Sequence, residues 1–178
     1  YNGFGMLHQR VCERMGVFCL PAGKVEPVQI FSRIRPYDIS VLMGHASLLV
    51  HVTKLAETEG APPLKAIFMT SEHLPADIRS WMEGVWRCPL YMGFGILGIY
   101  PAVAMESPDR DRYLVNEISY IVETPPDSNS DGELHITPLD FHCHPAMRIA
   151  TGARGRILPP REGDSPPMGG ISGFGEEP

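Results

Sequence analysis

His142-Cys143-His144 is the only cluster in the sequence whose residue types are those of metal ligands. Side chains alternate along a β-strand, so His142 and His144 would share one face if this segment is extended. A structural zinc site takes four ligands, and no CxxC pair supplies the others. A solvent-facing or hydrogen-bonded histidine pair is therefore favoured, and no metal site is assigned. Metal analysis of the purified protein tests the alternative of a metal-dependent site.

A second polar pair, Glu72 and His73, lies at a turn between a predicted strand and a predicted helix. A carboxylate near a helix N-terminus is stabilised by the free N–H groups and by the helix dipole. On the residues alone, helix capping is the interpretation of this pair.

The composition restricts the class of protein. The 178 residues are 43% hydrophobic and 20% charged, which is typical of a globular chain with its own core. A net charge of −6 with scattered Lys and Arg argues against a nucleic-acid partner. No apolar run approaches the ~20 residues of a membrane span, and no signal peptide is recognised. A cytoplasmic location is expected, with reduced and mostly buried thiols at Cys12, Cys19, Cys88 and Cys143.

Hydrophobic periodicity predicts alternating helices and strands in the first half. Helices are predicted over 2–15, 27–36, 48–56 and 78–86, and buried strands over 17–20, 39–43, 66–69 and 90–92. This alternation predicts a parallel sheet with crossover helices.

The pattern changes after Gly98, because short strands over 99–104, 118–123 and 133–136 follow without long helices. We therefore expect an α/β fold whose parallel sheet is followed by a smaller antiparallel region. The expected domains are an α/β subdomain at 1–98, an antiparallel subdomain at 99–158, and a flexible linker at 159–178, which is rich in Pro, Gly and acidic residues.

Six segments occur in an order that points to one family. They are 3–5 with 13–17 (GFG, ERMGV), 70–75 (TSEHLP), 91–95 (YMGFG), 132–137 (GELHIT), 145–153 (PAMRIATGA) and 171–177 (ISGFGEE). In this order they resemble motifs of the phenylacetate–CoA ligase branch of the adenylate-forming enzymes, from a glycine-rich helix start to the hinge. The segment 132–137 is close to the family's "G-E-L-v-x-T" strand. The resemblance implies the large-domain fold of that superfamily, with the chain ending before a mobile C-terminal domain.

The resemblance also implies two groups of site residues. Those expected to border the nucleotide are Thr70, Ser71, Glu72, His73, Tyr91, Met92 and Gly93. Those expected to line the acid pocket are Tyr1, Phe4, Phe94 and Gly95. Tyr91 would pack on adenine, whereas an ordinary core role is the alternative for any single aromatic residue.

Three residues that the family uses to handle ATP are replaced. The magnesium-binding Glu corresponds to Gly95, the ribose-binding Asp to Ala153, and the hinge Arg to Phe174. A glycine or an alanine has no side-chain oxygen with which to bind magnesium or a diol. The family's phosphate loop would precede Tyr1 and its catalytic Lys would follow Pro178.

The resemblance implies ATP-dependent conversion of a small aromatic acid to an aryl-adenylate, then transfer to CoA or another acceptor. The implied cofactors are ATP or AMP and magnesium, with CoA as a possible acceptor. The resemblance also implies a homodimer. Related proteins serve aromatic catabolism or antibiotic biosynthesis, so either context is expected. The alternative is a non-catalytic binding or assembly protein of the same fold that retains the acid pocket.

Overall fold

The computed structural model describes residues 3–70, 74–96, 100–125, 131–140, 145–162 and 168–176. The chain divides into two compact units. Described residues of the first unit are 3–67 and 74–90, and those of the second are 68–70 and the described residues from 91 onward. The predicted fold class is confirmed, since parallel strands with crossover helices precede a run of antiparallel strands.

The first unit contains the helices and the edge strand of the sheet. These elements are α1 (Gly3–Arg14), α2 (Pro27–Ile34), β1 (Val41–His45), α3 (Ala46–Glu59) and α4 (Ala76–Trp86). Pro27 occupies the first turn of α2, as predicted, and Glu26 forms a capping box with Gln29. Between α3 and α4, the Trp86 indole N–H donates a hydrogen bond to the buried Thr53 hydroxyl at 2.8 Å, so neither of these two polar groups is left without a hydrogen bond.

The buried strand predicted at 17–20 is wrong. Helix α1 ends at a Schellman turn, in which Gly16 has φ +68° and the Val17 N–H donates to the Cys12 carbonyl at 2.8 Å. The chain then runs without strand pairing, and Val17 and Phe18 are 50% and 67% exposed. The apolar run was mistaken for a strand because composition alone does not show whether a neighbouring strand is present.

The strand predicted at 39–43 exists as β1 but is only partly buried. Leu42 is buried, whereas Val41 and Met43 on either side of it are exposed. Because β1 ends the strand order, it is covered less than a central strand.

The second unit contains the end of β2, most of β3, and all later strands. The strands are β2 (Ala66–Thr70), β3 (Leu90–Ile96), β4 (Tyr100–Glu106), β5 (Tyr113–Val115), β6 (Tyr120–Glu123), β7 (Gly132–Pro138), β8 (Ile149–Leu158) and β9 (Gly170–Glu176). Their order is β1-β2-β3-β4-β5-β9-β8-β7-β6, with antiparallel pairing from β3 onward. The buried core of this unit includes Val103, Ala104, Val115, Tyr120, Leu134, Ile136 and Ile171.

Strand β9 was not predicted, since its residues fall in the range 159–178 that was expected to be a linker. It pairs with β5 on one side and β8 on the other, and Ile171 is fully buried. Glycine-rich composition gave no strand signal, because the order of this segment comes from distant partners on both sides. The predicted division into domains stays a prediction.

Candidate functional site

The end of β2 and the middle of β3 lie in direct contact within the second unit. A Cβ atom built on Gly93 would lie 3.1 Å from Met105 Cε, 3.2 Å from Thr70 Cγ2 and 3.3 Å from the Met69 carbonyl oxygen. Gly93 therefore allows β2, β3 and β4 to approach more closely than a larger residue would. Of the residues predicted to border the nucleotide, the structure therefore brings Thr70 and Gly93 together.

Thr70, the last residue of β2, carries a buried hydroxyl that no described residue hydrogen-bonds. Its exposed fraction is 1%, and Oγ1 has no hydrogen-bond partner among the described residues. A buried polar group left unpaired costs about 1–3 kcal/mol, so most such groups in native proteins are satisfied. The described residues thus leave the hydrogen-bonding capacity of this hydroxyl unused at the end of β2.

Tyr91 lies one strand away from Phe68 and stacks on it. The ring centroids are 5.4 Å apart and the planes differ by 25°, which is an offset-stacked arrangement. Both side chains are half-buried, so the pair is not closed into the core. One face of the Tyr91 ring is covered by Phe68, and the ring pair presents a flat apolar wall.

Glu106 on β4 contacts the backbone of β3 beside the predicted site residues, a contact that the sequence did not predict. Its carboxylate Oε2 accepts the backbone N–H of Met92 at 3.0 Å, and the residue is only 9% exposed. This bond fixes the β3 backbone next to Tyr91 and Gly93. A glutamate just before a Ser-Pro-Asp turn has the sequence signature of a solvated residue, and no local pattern indicates a partner fourteen residues away.

Phe94 and Gly95 lie where the register of β3 against β4 shifts, between Phe94 and Ile96. The Phe94 ring packs against the buried clusters around Val103 and Ala104, so much of its contact is with the protein core. Gly95 presents no carboxylate where the resemblance places a magnesium ligand. The pocket roles of both residues stay predictions.

The position of the missing ribose Asp lies in a bulge of β8. Three residues, 151–153, face the single residue Leu134 of β7. The Thr151 hydroxyl accepts the Ala153 N–H at 3.0 Å, and Glu133 Oε1 accepts the Gly152 N–H at 3.1 Å. Ala153 itself is 5% exposed. The polar groups of this bulge are thus bonded within the protein.

Several predicted residues lie outside the described part of the chain. They are Tyr1, Ser71, Glu72, His73, His142, Cys143 and His144. The backbone of Phe4 belongs to α1 and that of Phe174 to β9, but their side chains are not described. The nucleotide and pocket roles of Tyr1, Phe4, Ser71, Glu72 and His73 stay predictions, as does the assignment of His142 and His144 to a histidine pair without metal.

No group of three or more His, Cys, Asp or Glu side chains that could hold a metal occurs within the described ranges. Gly95 and Ala153 provide no oxygen ligands either, so the described residues do not fit a protein-bound magnesium ion. Across the same ranges, every helix is too short or too polar to cross a membrane.

Comparison with solved structures identifies the class of fold as that of CoA and acid ligases. 2-Hydroxyisobutyryl-CoA ligase, in an open conformation with 2-HIB-AMP and CoA, matches with a TM-score of 0.72 and 15% identity over 90% of this chain and 39% of its own. A mutant of coronafacic acid ligase from Pectobacterium brasiliense matches with a TM-score of 0.68 and 16% identity, over 98% and 37%. Anthranilate CoA ligase AuaEII with anthranoyl-AMP gives a TM-score of 0.60 and 14% identity, over 88% and 34%.

These identities are low, so the comparisons show the fold alone. This chain spans 34–39% of the length of those three structures. Neither a protein-family model nor a curated protein sequence matches it.

Proposed function

We propose that this chain is the acid- and nucleotide-binding core of an adenylate-forming ligase, acting on a small aromatic carboxylic acid. The observation that carries this proposal is the junction of β2 and β3, where the methyl group of Thr70 lies against Gly93 and the buried Thr70 hydroxyl has no partner among the described residues. The ligase fold supports the reaction class, since the similar 2-hydroxyisobutyryl-CoA and anthranilate CoA ligases were solved with acyl-AMP molecules.

In such a reaction, a carboxylate oxygen attacks the α-phosphorus of ATP, acyl-AMP forms and pyrophosphate leaves. A thiol such as CoA, or another acceptor, then displaces AMP. In our proposal the Thr70 hydroxyl donates a hydrogen bond to the bound nucleotide or acid, and the Tyr91 ring stacks on a flat ligand group. Ser71, Glu72 and His73, which follow Thr70, belong to the same proposed nucleotide contact.

The aromatic character of the acid rests on the stacked Phe68–Tyr91 pair rather than on the fold. The similar structures carry different acids, one a branched hydroxy acid and one anthranilate. A half-buried ring pair favours a flat ligand through offset stacking, worth about 0.5–1.5 kcal/mol beyond simple burial. Phe94 and Gly95, in the same unit as Tyr91, belong to the proposed pocket.

Acid-dependent ATP–pyrophosphate exchange by the full-length protein tests this proposal. Anthranilate, benzoate and phenylacetate form the aromatic panel, and 2-hydroxyisobutyrate is the aliphatic control. We expect exchange with at least one aromatic acid, and a loss of that exchange in Tyr91→Ala with retention of part of it in Tyr91→Phe. Exchange with the aliphatic acid alone would contradict the aromatic assignment.

Residues 1–178 alone are expected to show no such exchange, because the resemblance matches neither the family's phosphate loop nor its catalytic Lys to any segment of them. Clear acid-dependent exchange by this chain would show that the motifs are misplaced.

A non-catalytic binding protein is the second candidate, favoured by the absence of a carboxylate at Gly95 and Ala153. Calorimetric titration of the full-length protein with ATP, magnesium and the acid panel separates the two. Binding of an acid without nucleotide supports the second candidate, and binding of both supports the ligase. A cytoplasmic homodimer belongs to the ligase proposal, and light scattering of the purified protein measures its mass.

A further inference from the structure

We propose that a cavity in the second unit, lined by the adjoining ends of β5, β6, β8 and β9, binds a small apolar molecule that carries one amine. The ammonium group of this ligand pairs with the carboxylate of Glu117. The inference is independent of the proposed ligase function, because none of the described residues that line the cavity is assigned to the nucleotide or to the acid.

The cavity has the size and the composition of a small-molecule site. Its volume is about 360 Å³, and ligand pockets measure about 300–1,000 Å³, with mainly apolar walls and a few polar groups that orient the ligand. Glu117 is the charged residue among the described residues of the lining. The apolar side chains of the walls include Val115, Ile121, Val122, Ile157, Leu158 and Ile171.

Two isoleucines of the cavity wall are open to solvent. Ile121 on β6 is 47% exposed, and Ile157 on β8 is 41% exposed. Isoleucine is among the side chains most often buried in folded proteins, and an apolar ligand that covers such side chains removes apolar surface from water. An apolar ligand body therefore fits these walls.

Gly169, the residue before β9, leaves room for the Glu117 carboxylate at the cavity. A Cβ atom built on Gly169 would lie 2.5 Å from Glu117 Oε1, which is too close, so an alanine here would displace the carboxylate. The Val115 N–H donates to the Gly169 carbonyl at 3.0 Å, and the Glu117 N–H donates to the Val115 carbonyl at 3.0 Å. These two backbone bonds hold the turn that carries Glu117 next to Gly169.

The Glu117 carboxylate has no hydrogen bond and no ion pair with any described residue. Two arginines of the same unit are paired with other acids instead. Arg112 Nε lies 3.8 Å from Asp111 Oδ2, and Arg161 Nη1 lies 3.5 Å from Asp109 Oδ2. The cavity thus has one negative charge that the described residues do not neutralise, which favours a cationic group on the ligand and disfavours an anion.

A primary amine on a short apolar chain or ring meets both requirements. Its ammonium group has three N–H donors for the carboxylate and for water, and its carbon skeleton covers the isoleucines. 2-Phenylethylamine, which is protonated at neutral pH, represents this class and is the probe. 2-Phenylethanol is its neutral counterpart, because it has nearly the same shape and a hydroxyl in place of the ammonium group.

Calorimetric titration of the full-length protein with the two probes tests the proposal. We expect 2-phenylethylamine to bind at one site and about 3–10-fold more tightly than 2-phenylethanol, as for one partly exposed ionic contact. Added salt should reduce this difference, because it screens exposed charges. Equal affinity for the amine and the alcohol, or no binding of the amine at millimolar concentration, would overturn the proposal.

Glu117→Gln and Glu123→Gln are the matched variants. Glu117 is exposed, so its replacement should leave the fold intact, while affinity for the amine falls to that of the alcohol. Glu123, the last residue of β6, is outside the cavity lining, so its replacement removes the same charge and should leave amine binding as in the wild type. Gly169→Ala should weaken amine binding as Glu117→Gln does, because the new methyl group displaces the carboxylate.

Tyr91→Ala separates this cavity from the proposed acid pocket. Amine binding that is retained in Tyr91→Ala and weakened in Glu117→Gln supports the cavity, whether or not the ligase proposal holds. Amine binding that is lost in Tyr91→Ala, or weakened equally in Glu117→Gln and Glu123→Gln, would contradict it.

Discussion

Two regions of the second unit were expected to border the same nucleotide, and they differ in whether their polar groups are hydrogen-bonded within the protein. At the β2–β3 junction, the Thr70 hydroxyl is buried without a partner among the described residues. In the β8 bulge, the Thr151 hydroxyl accepts the Ala153 N–H, and the Glu133 carboxylate accepts the Gly152 N–H. The junction keeps hydrogen-bonding capacity that no described residue uses, whereas these polar groups of the bulge are bonded to one another.

Under the proposed function, this difference separates a ligand contact at the junction from a structural role of the bulge. An unpaired buried hydroxyl destabilises the protein on its own, so a ligand that accepts its hydrogen bond removes that penalty on binding. A fully bonded bulge gains nothing from a ligand and loses stability when any of its members is removed. Substitutions at the two regions should therefore have opposite patterns of effect on stability and on ligand binding.

Gly93→Val should have the largest effect of the changes considered. The added side chain would meet Met105, the β-branched Thr70 and the Met69 backbone, with Cβ already at 3.1–3.3 Å. Overpacking of this kind costs about 1–3 kcal/mol, and we expect the upper part of that range. Urea unfolding of the full-length protein measures the loss, and calorimetry with ATP and an aromatic acid measures the loss of binding.

Gly93→Ala is the graded control for the same position. It should give a smaller loss of both stability and binding, because the Met105 side chain can yield to a single methyl group. Wild-type binding in Gly93→Val, at a ligand concentration that restores its fold, would mean that this junction does not border the ligand.

Much of the first half of the fold is predictable from local sequence. The spacing of Met82 and Trp86 predicts the buried face of α4, and Pro27 predicts the start of α2, because helix burial repeats within a few residues. The family motifs predicted that Thr70 and Gly93 border the same nucleotide, but they did not predict the direct contact between the two residues.

The remainder depends on residues far apart in the chain. Ile171 is buried because its strand, β9, pairs with β5 on one side and β8 on the other. Likewise, the Glu106 carboxylate accepts a backbone N–H from another strand. Neither partner is visible in a short window of sequence. The predicted strand at 17–20 failed for the converse reason, since Phe18 has the composition of a strand but no strand beside it.

Thr151→Val should have the second largest effect, confined to stability. Valine has the shape of threonine but cannot accept the Ala153 N–H, which is buried with its residue in the bulge. Leaving that N–H unpaired costs about 1–2 kcal/mol. Urea unfolding tests the loss, and affinity for ATP and acid should equal that of the wild type once the protein is folded. A selective loss of affinity would assign the bulge to the ligand site after all.

Thr70→Val should have the smallest effect on stability and a clear effect on binding. The change keeps the β-branched shape and removes a hydroxyl that has no partner, so the free energy of unfolding should stay within about 0.5 kcal/mol or increase. The hydrogen bond that the hydroxyl donates to the ligand would be lost, which lowers affinity by about 3–10-fold at ~1 kcal/mol per bond. Thr70→Ser, which retains the hydroxyl, should bind more tightly than Thr70→Val although it leaves a gap in the core. If Thr70→Val is destabilised as much as Thr151→Val and binds normally, the hydroxyl is already used within the protein and the two regions do not differ.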